Sequence, residues 1–115
     1  MNIIICGAGR VGYSICSQLS KQGHSVTVID KNGPDIQNIN DNLDAKGIVG
    51  IATYPSVLEK ADAGKADMII AVTRNDETNM IVCQVAHSLF KISRKIARIR
   101  SKEFLKPIWK GLFTK

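Results

Sequence analysis

Three glycines and an arginine stand together directly after an apolar run, in the sequence IIICGAGRVG over residues 3–12. Gly7, Gly9 and Gly12 form the pattern G-x-G-x-x-G, which binds a pyrophosphate when it follows a buried strand and opens a helix. The first glycine then makes a tight turn, the second lets backbone N–H groups approach the phosphates, and the third lets the helix pack on the sheet. A glycine turn used only for packing is the alternative interpretation.

The surroundings of this pattern favour a nucleotide site. Asn2–Cys6 is an apolar run typical of a buried strand, and Asp30 ends the next predicted strand, 18 residues beyond Gly12. A carboxylate at that position accepts hydrogen bonds from ribose hydroxyls and repels a 2′-phosphate, so the pattern favours NAD(H) or an adenine nucleotide over NADP. Otherwise, Asp30 only caps the end of its strand.

A second polar stretch, AVTRNDETN over residues 71–79, follows the predicted fourth strand. Thr73 and Asp76 have the spacing of a capping box, which would explain the polar residues without a ligand. The fourth strand also lies beside the first at the topological switch point of such a sheet. Thr73, Arg74 and Asn75 are therefore candidates for nucleotide contact, and helix capping remains an equal alternative.

Arg98 and Arg100 alternate with apolar residues in the sequence IARIRS. If this segment is a strand, both guanidinium groups project to the same side of the sheet. Two cations on one face of a covered sheet are costly to bury unless anions or solvent contact them. We favour phosphate binding over simple exposure at a sheet edge.

The elements that position these residues alternate between strands and helices. The predicted strands are Asn2–Cys6, Ser25–Asp30, Gly47–Ile51, Asp67–Thr73 and Lys95–Arg100. This alternation is typical of a doubly wound, Rossmann-like parallel α/β sheet, and a phosphate loop after the first strand predicts the strand order 3-2-1-4-5. We expect no sixth strand, because residues 101–115 resemble the start of a helix or a truncated tail, interrupted at Pro107 and Gly111.

Four helices are predicted between the strands. The first has an apolar stripe spaced four residues apart, formed by Val11, Ile15 and Leu19. Gly33 and Pro34 mark a turn before the second helix, and Pro55 lies in the first turn of the third. The fourth runs from Asn75 to Phe90 and is apolar around most of its circumference. That helix is either buried within its own domain or forms an interface with a second chain.

Charge is distributed unevenly along the 115 residues, whose formal net charge is +6. Residues 1–67 carry a net charge of −1, whereas residues 68–115 carry +7. A basic segment attracts nucleic acid, anionic lipid or a phosphorylated ligand. No nucleic-acid motif or interleaved aromatic residues accompany it. We therefore expect no nucleic-acid partner and a basic face that is solvated or covered by protein.

The sequence contains no recognisable catalytic or metal-binding pattern. The spacing of Cys6, Cys16 and Cys83 matches no metal or redox motif, so we expect buried packing residues. His24 and His87 have no patterned Ser, Cys or carboxylate partner, and surface or packing roles are expected for both. A chain of this length also leaves no room for a substrate domain.

Several stretches together carry a family resemblance: IIICGAGRVG, VTVID, ADMIIAVTRNDETNM, CQVAHSLF and IARIRS. Over residues 1–113, the sequence resembles the N-terminal domain of the Trk potassium-uptake regulatory proteins, the KTN or RCK N-terminal family. The resemblance implies a Rossmann-like nucleotide-binding domain over residues 1–100. It also implies NAD(H) as the ligand, with ATP or ADP as alternatives, bound as regulators rather than as substrates.

The resemblance assigns contacts to the nucleotide residue by residue. The phosphates would lie on the loop residues Gly7, Ala8, Gly9, Arg10, Val11 and Gly12. The ribose would lie on Asp30, with further contacts from Thr73, Arg74 and Arg98 and a second basic contact from Arg100. Ile51 replaces the polar residue that the family often places near the adenine, which leaves apolar packing by Ile51 and Ala52 with Thr53 nearby.

The resemblance further implies a regulatory role in potassium uptake. Such a domain forms a homodimer or a higher ring, and its ligand-dependent rearrangement gates a membrane potassium-translocating subunit of the TrkH or TrkG type. The chain would then be cytoplasmic, held at the inner face of the plasma membrane through that partner, and would not be an enzyme. Two alternatives remain open: the cofactor-binding half of an NAD-dependent dehydrogenase without its substrate domain, and a fragment that folds without binding a ligand.

Overall fold

Five parallel strands form a single sheet in the computed structural model, which describes residues 1–105. The strands are β1 (Asn2–Cys6), β2 (Ser25–Asp30), β3 (Lys46–Val49), β4 (Met68–Ala71) and β5 (Arg94–Ala97). Their order is β3-β2-β1-β4-β5, which confirms the predicted doubly wound topology. The predicted interruptions at Pro107 and Gly111 lie outside the described residues.

Four helices connect the strands. They are α1 (Arg10–Lys21), α2 (Gly33–Asn42), α3 (Pro55–Lys60) and α4 (Asp76–Phe90). Short 3₁₀ turns follow α3 at Ala63–Lys65 and β5 at Lys102–Leu105. None of the helices in residues 1–105 is long and apolar enough to cross a membrane.

Alternate residues of the central strands face two separate apolar layers. Ile3 and Ile5 of β1 pack with α1 and α2, whereas Ile4 and Cys6 pack with α3 and α4. This alternation follows from the two-residue period of a strand, and it covers both faces of β1. The carboxyl ends of β1, β2 and β4 consequently lie side by side at one edge of a sheet whose central strands are buried.

The start of α2 differs from the prediction. Gly33 and Pro34 do not form a turn before the helix but belong to its first turn. Proline fits there because the first turn needs no N–H donor, and the side chain of Asn32 caps the helix by accepting from the Asp35 N–H at 2.9 Å. The helix ends at Asn42, and Leu43 lies just after its last residue.

Three strands are shorter than predicted. β3 ends at Val49 rather than Ile51, and β4 occupies only the middle of the predicted segment. β5 ends at Ala97, which pairs with Ala71, the last residue of β4, and the Arg98 N–H then donates to the Ala71 carbonyl oxygen at 2.9 Å. Arg98 and Arg100 therefore lie outside the strand, and the prediction that β5 extends to Arg100 is wrong.

The predicted apolar stripe of α1 is confirmed at Ile15 and Leu19, which pack against the core, but not at Val11. Val11 is 39% exposed, while the buried residues of the helix are Gly12 and Cys16. A Cβ atom at position 12 would collide with the carbonyl oxygen of Gly7. Because that contact turns Gly12 towards the loop, the neighbouring Val11 is turned towards solvent.

Candidate functional site

The loop after β1 is folded tightly against two neighbouring strands. The Gly7 N–H donates to the carbonyl oxygen of Ile29 at 2.8 Å, which extends the pairing of β1 with β2. Gly7 has a φ of +116°, and a Cβ there would lie 2.9 Å from the backbone carbonyl carbon of Val72. Only glycine combines this backbone angle with so close an approach.

The N-terminus of α1 leaves a row of backbone donors open. Gly9 is the N-cap and supplies no capping side chain, and the first turn contains no acidic residue. Within residues 1–105, the N–H groups of residues 9–12 make no hydrogen bond, and the first bond back to the loop is donated by Tyr13. A Cβ at Gly9 would meet nothing within 4 Å, so this side of the loop is open. Such a terminus can bind an anion.

Asp30 braces the same loop from the end of β2. Its Oδ2 accepts a hydrogen bond from the Ala8 N–H at 2.7 Å, and its Oδ1 accepts from the Asn32 N–H at 2.8 Å. The carboxylate thus joins the glycine loop to the start of α2. Each oxygen can accept a further hydrogen bond, since a carboxylate has about four acceptor positions.

The polar segment after β4 does not form the predicted capping box. Asn75 caps α4, its Oδ1 accepting from the Thr78 N–H at 2.8 Å. The Thr73 hydroxyl instead donates to Oδ1 of Asn79 at 2.6 Å. Because Asn75 occupies the cap, Thr73 and Asp76 make contacts elsewhere.

Asn79 joins the segment after β4 to the segment after β5. Its fully buried side chain accepts from the Thr73 N–H at 2.9 Å and donates to the Arg98 carbonyl oxygen at 2.8 Å. Sequence reasoning missed this residue. The sequence signal that could have found Asn79 is its helical spacing from Cys83 and Ala86, which puts a polar side chain on an apolar face of α4. All three residues are buried in the structure.

Asp76 holds the chain where it turns away from the sheet. Its two carboxylate oxygens accept from the Arg100 N–H at 2.9 Å and from the Ser101 N–H at 2.7 Å. These backbone hydrogen bonds, followed by the positive charges of Arg100 and Arg98, hold the pKa of Asp76 below its usual value. The carboxylate is buried, although sequence reasoning treated it only as a capping residue.

Arg98 lies half-buried between the ends of β4 and β5. One of its terminal nitrogens, Nη2, donates to the Thr73 carbonyl oxygen at 2.9 Å. Its Nε atom is buried and has no hydrogen-bond partner within residues 1–105. A buried guanidinium donor without an acceptor is costly, so this position favours an anion that accepts from it.

The structure brings some of the predicted site residues together and leaves others apart. Asp30 contacts Ala8, Gly7 abuts Thr73, and Thr73 contacts Arg98, which forms a continuous row across the ends of β2, β1, β4 and β5. Exposed side chains on this edge that make no hydrogen bond within residues 1–105 are Arg10, Val11, Arg74 and Arg100.

The segment after β3 is tied to this row by its backbone. The Gly50 N–H donates to the carbonyl oxygen of Asp30 at 3.0 Å. Ile51 is exposed and Thr53 is half-buried, but Ala52 packs in the core beneath α3. The structure therefore brings Ile51 and Thr53 to the surface near Asp30 and turns the Ala52 side chain away.

The cysteine thiols are packing groups, as their spacing predicted. Cys6, Cys16 and Cys83 are all buried and free. Burial raises the pKa of each thiol, that of Cys83 to about 11, so these groups stay protonated at neutral pH. Among residues 1–105, no group of three or more His, Cys, Asp or Glu side chains is arranged to hold a metal ion.

Known proteins match this chain over nearly its whole length. The family model of the TrkA-N domain matches residues 3–112. The Trk system potassium uptake protein TrkA of Azorhizobium caulinodans is 44% identical over 115 residues, which is 100% of this chain. The chain spans only 25% of the length of that relative.

Solved structures share the fold at lower sequence identity. The Shewanella denitrificans Kef CTD in an AMP-bound form has a TM-score of 0.79 and 22% identity, with 96% of this chain and 69% of the other covered. The GsuK channel bound to NAD has a TM-score of 0.75 and 19% identity, with 97% of this chain and 19% of the other covered. Both likenesses establish the Rossmann-like fold.

Proposed function

Since the chain belongs to the TrkA-N domain family, we propose that it is a nucleotide-binding regulatory domain of a potassium uptake system and that it catalyses no reaction. The observation that carries the proposal is the row of groups at the edge of the sheet. Open N–H donors at α1 lie between a half-buried Arg98, whose Nε atom has no acceptor within residues 1–105, and the Asp30 carboxylate. The cation and the N–H donors suit the phosphates of a nucleotide, and the carboxylate beyond them suits its ribose.

In the proposed complex, the phosphates lie on the backbone of residues 7–12. Arg10 is exposed at the start of α1, and Arg98 donates from the opposite side of the switch point. NAD(H) is the ligand that we expect first, with ATP or ADP as alternatives. The AMP in the Kef structure and the NAD in the GsuK structure support an adenine nucleotide on this fold.

Asp30 has two roles in the proposed complex. Its carboxylate holds the loop through Ala8 and, with its remaining lone pairs, accepts hydrogen bonds from the ribose hydroxyls. A 2′-phosphate at the same place would meet this negative charge directly. The domain is therefore expected to bind NAD(H) more tightly than NADP(H).

The proposed regulation requires a second copy of the chain and a membrane partner. Ile81, Val85 and Leu89 lie four residues apart on α4, and Ile81 and Leu89 are 48% and 59% exposed. We assign this stripe to contact between copies in a homodimer or ring. A nucleotide that binds one arrangement more tightly shifts the population towards it, and a potassium-translocating subunit of the TrkH or TrkG type responds at the inner face of the plasma membrane.

Calorimetric titration of the purified chain with NADH, NAD, ATP and NADP tests the ligand class. We expect binding of the first three and the weakest binding by NADP. Replacing Asp30 by Asn keeps the size of the side chain but removes the charge and one of the two acceptor oxygens, so the preference for NAD over NADP should fall by about tenfold. Asp35→Asn, a change of the same type in the first turn of α2, is the matched control and should leave the preference intact.

Two results would contradict the proposal. The absence of binding by all four ligands at millimolar concentration would exclude nucleotide sensing by this chain. Consumption of NADH in the presence of small ketones or aldehydes would instead support the dehydrogenase alternative. Retention of the full NAD preference in Asp30→Asn would remove only the ribose assignment.

A further inference from the structure

The segment after β3 exposes three large apolar side chains within six residues. Val49 is 58% exposed, Ile51 is 43% exposed and Tyr54 is 54% exposed. Single exposed apolar residues are ordinary on a protein surface, whereas several gathered at one place mark a binding surface. Tyr54 is not among the site residues predicted from the sequence.

Backbone hydrogen bonds connect this apolar segment to the proposed ribose position. The Gly50 N–H donates to the Asp30 carbonyl oxygen at 3.0 Å, and the Tyr54 N–H donates to the Ile51 carbonyl oxygen at 3.0 Å. The Tyr54 carbonyl oxygen then accepts from the Val57 N–H at 3.0 Å, which begins α3. Tyr54 therefore ends a turn that begins at Ile51, and the residue directly before that turn, Gly50, is bonded to the backbone of Asp30, the residue that would hold the ribose.

The chemistry of this segment fits a flat aromatic ligand. The only polar side-chain groups in residues 50–54 are the hydroxyls of Thr53 and Tyr54, and neither makes a hydrogen bond within residues 1–105. Residues 50–54 carry no amide, carboxylate or cationic side chain that would distinguish the amino and carbonyl groups on the edge of a base. Aromatic side chains bind bases by stacking, which every base permits because every base has a π-face.

We propose that Tyr54 stacks on the base of the bound nucleotide, and that the site accepts purines in general because it reads the flat ring and not its edge. Ile51 supplies apolar contact beside the tyrosine. This inference rests on the proposed nucleotide-binding function and adds a residue and a ligand specificity to it. Adenine and guanine nucleotides are thus expected to compete for the same site.

Titrations with AMP, GMP and ribose 5-phosphate test the proposal on the full chain. We expect AMP and GMP to bind within about threefold of one another and ribose 5-phosphate to bind at least about tenfold more weakly. Tyr54→Ala should weaken AMP and GMP alike by about tenfold and leave ribose 5-phosphate unchanged. Tyr54→Phe should retain nearly full affinity because it keeps the ring. Ile96→Ala, which trims a residue 50% exposed on β5, is the control for loss of exposed apolar surface.

The outcomes separate this inference from the function on which it rests. Binding of AMP at least tenfold tighter than GMP would show that the edge of the base is read and would overturn the purine specificity. An unchanged AMP affinity in a folded Tyr54→Ala variant would overturn the stacking role while nucleotide binding itself stands. If neither AMP nor NAD binds the unmodified chain, both the inference and the proposed function fail.

Discussion

The loop after β1 and the segments after β4 and β5 lie at the same edge of the sheet but are built in opposite ways. The loop positions its donors by backbone geometry, with glycines at Gly7 and Gly12 where no side chain fits. The other region, which we call the polar cluster, is formed by Thr73, Asp76, Asn79 and Arg98. Its shape is set by buried side-chain hydrogen bonds. At one edge of the sheet, the loop is therefore shaped by positions that hold no side chain, and the polar cluster is shaped by side chains that bond to one another and to the backbone.

This difference determines how each region tolerates change. A backbone turn fails when an added atom has no space, and the loss is immediate because the neighbouring atoms are also backbone. A hydrogen-bonded cluster fails when one member leaves its partners buried and unsatisfied. We therefore expect stability to depend on added side-chain volume in the loop. In the polar cluster, we expect it to depend on the loss of hydrogen-bonding groups at unchanged volume.

The largest effect is expected for Gly12→Ala. The added methyl group would collide with the Gly7 carbonyl oxygen, and neither α1 nor the loop can move without breaking the packing on β1. We expect a loss of about 4 kcal/mol in the free energy of unfolding, measured by urea denaturation followed by circular dichroism.

Gly9→Ala is the matched control within the same loop. A Cβ at Gly9 meets no atom within 4 Å, and its backbone angles are open to alanine. The cost should be less than about 1 kcal/mol. Equal losses for the two variants would show that the loop is not fixed by steric fit, and the contrast between the two regions would disappear.

Asn79→Leu should produce the next largest effect, in the polar cluster. Leucine has a similar volume but leaves the Thr73 N–H and the Arg98 carbonyl oxygen without the partners that Asn79 provides. We expect a loss of about 3 kcal/mol in the free energy of unfolding, again by urea denaturation. Gln84→Leu, on the exposed side of the same helix, is the control and should change stability by less than about 0.5 kcal/mol. A similarly small loss for Asn79→Leu would mean that the cluster adds no stability.

The contrast also explains what could be predicted from the sequence. The loop depends on residues within one short motif, so Gly7, Gly12 and the strand order that follows from them were accessible from pattern alone. The polar cluster joins Asn79 to Arg98, which are 19 residues apart, and Asp76 to Ser101, which are 25 apart. No local pattern encodes such pairings.

Local propensity also assigned some side chains to the wrong partner. Asp76 and Thr73 have capping-box spacing, but Asn75 captures the cap because its own side chain reaches the Thr78 N–H. Arg98 and Arg100 alternate like strand residues, yet β5 ends at Ala97, opposite the last residue of β4. In both cases the structure depends on which neighbouring group makes the hydrogen bond, and residue spacing alone does not determine this.

The smallest of these effects is expected for Asp76→Asn, and it depends on pH. The pKa of Asp76 is lowered in the folded chain by the Arg100 and Ser101 N–H groups, so the charged form stabilises the fold. That contribution is complete well above the ordinary carboxyl pKa of about 3.9 and is lost as the pH falls through the lower folded value. At neutral pH, the Asn variant should therefore unfold at a lower urea concentration than the unmodified chain. This difference should shrink as the pH is lowered below about 4.

Glu77→Gln provides the matched control for this pH dependence. Glu77 is an exposed acid in the same first turn of α4, so it shares the proximity to the helix N-terminus but not the hydrogen bonds to residues 100 and 101. Its variant should follow the unmodified chain closely at both pH values. If Glu77→Gln and Asp76→Asn shift the urea midpoint equally, the effect belongs to the helix dipole rather than to the bonds that close the polar cluster. A pH-independent deficit confined to Asp76→Asn would assign the role to hydrogen-bond shape and not to charge.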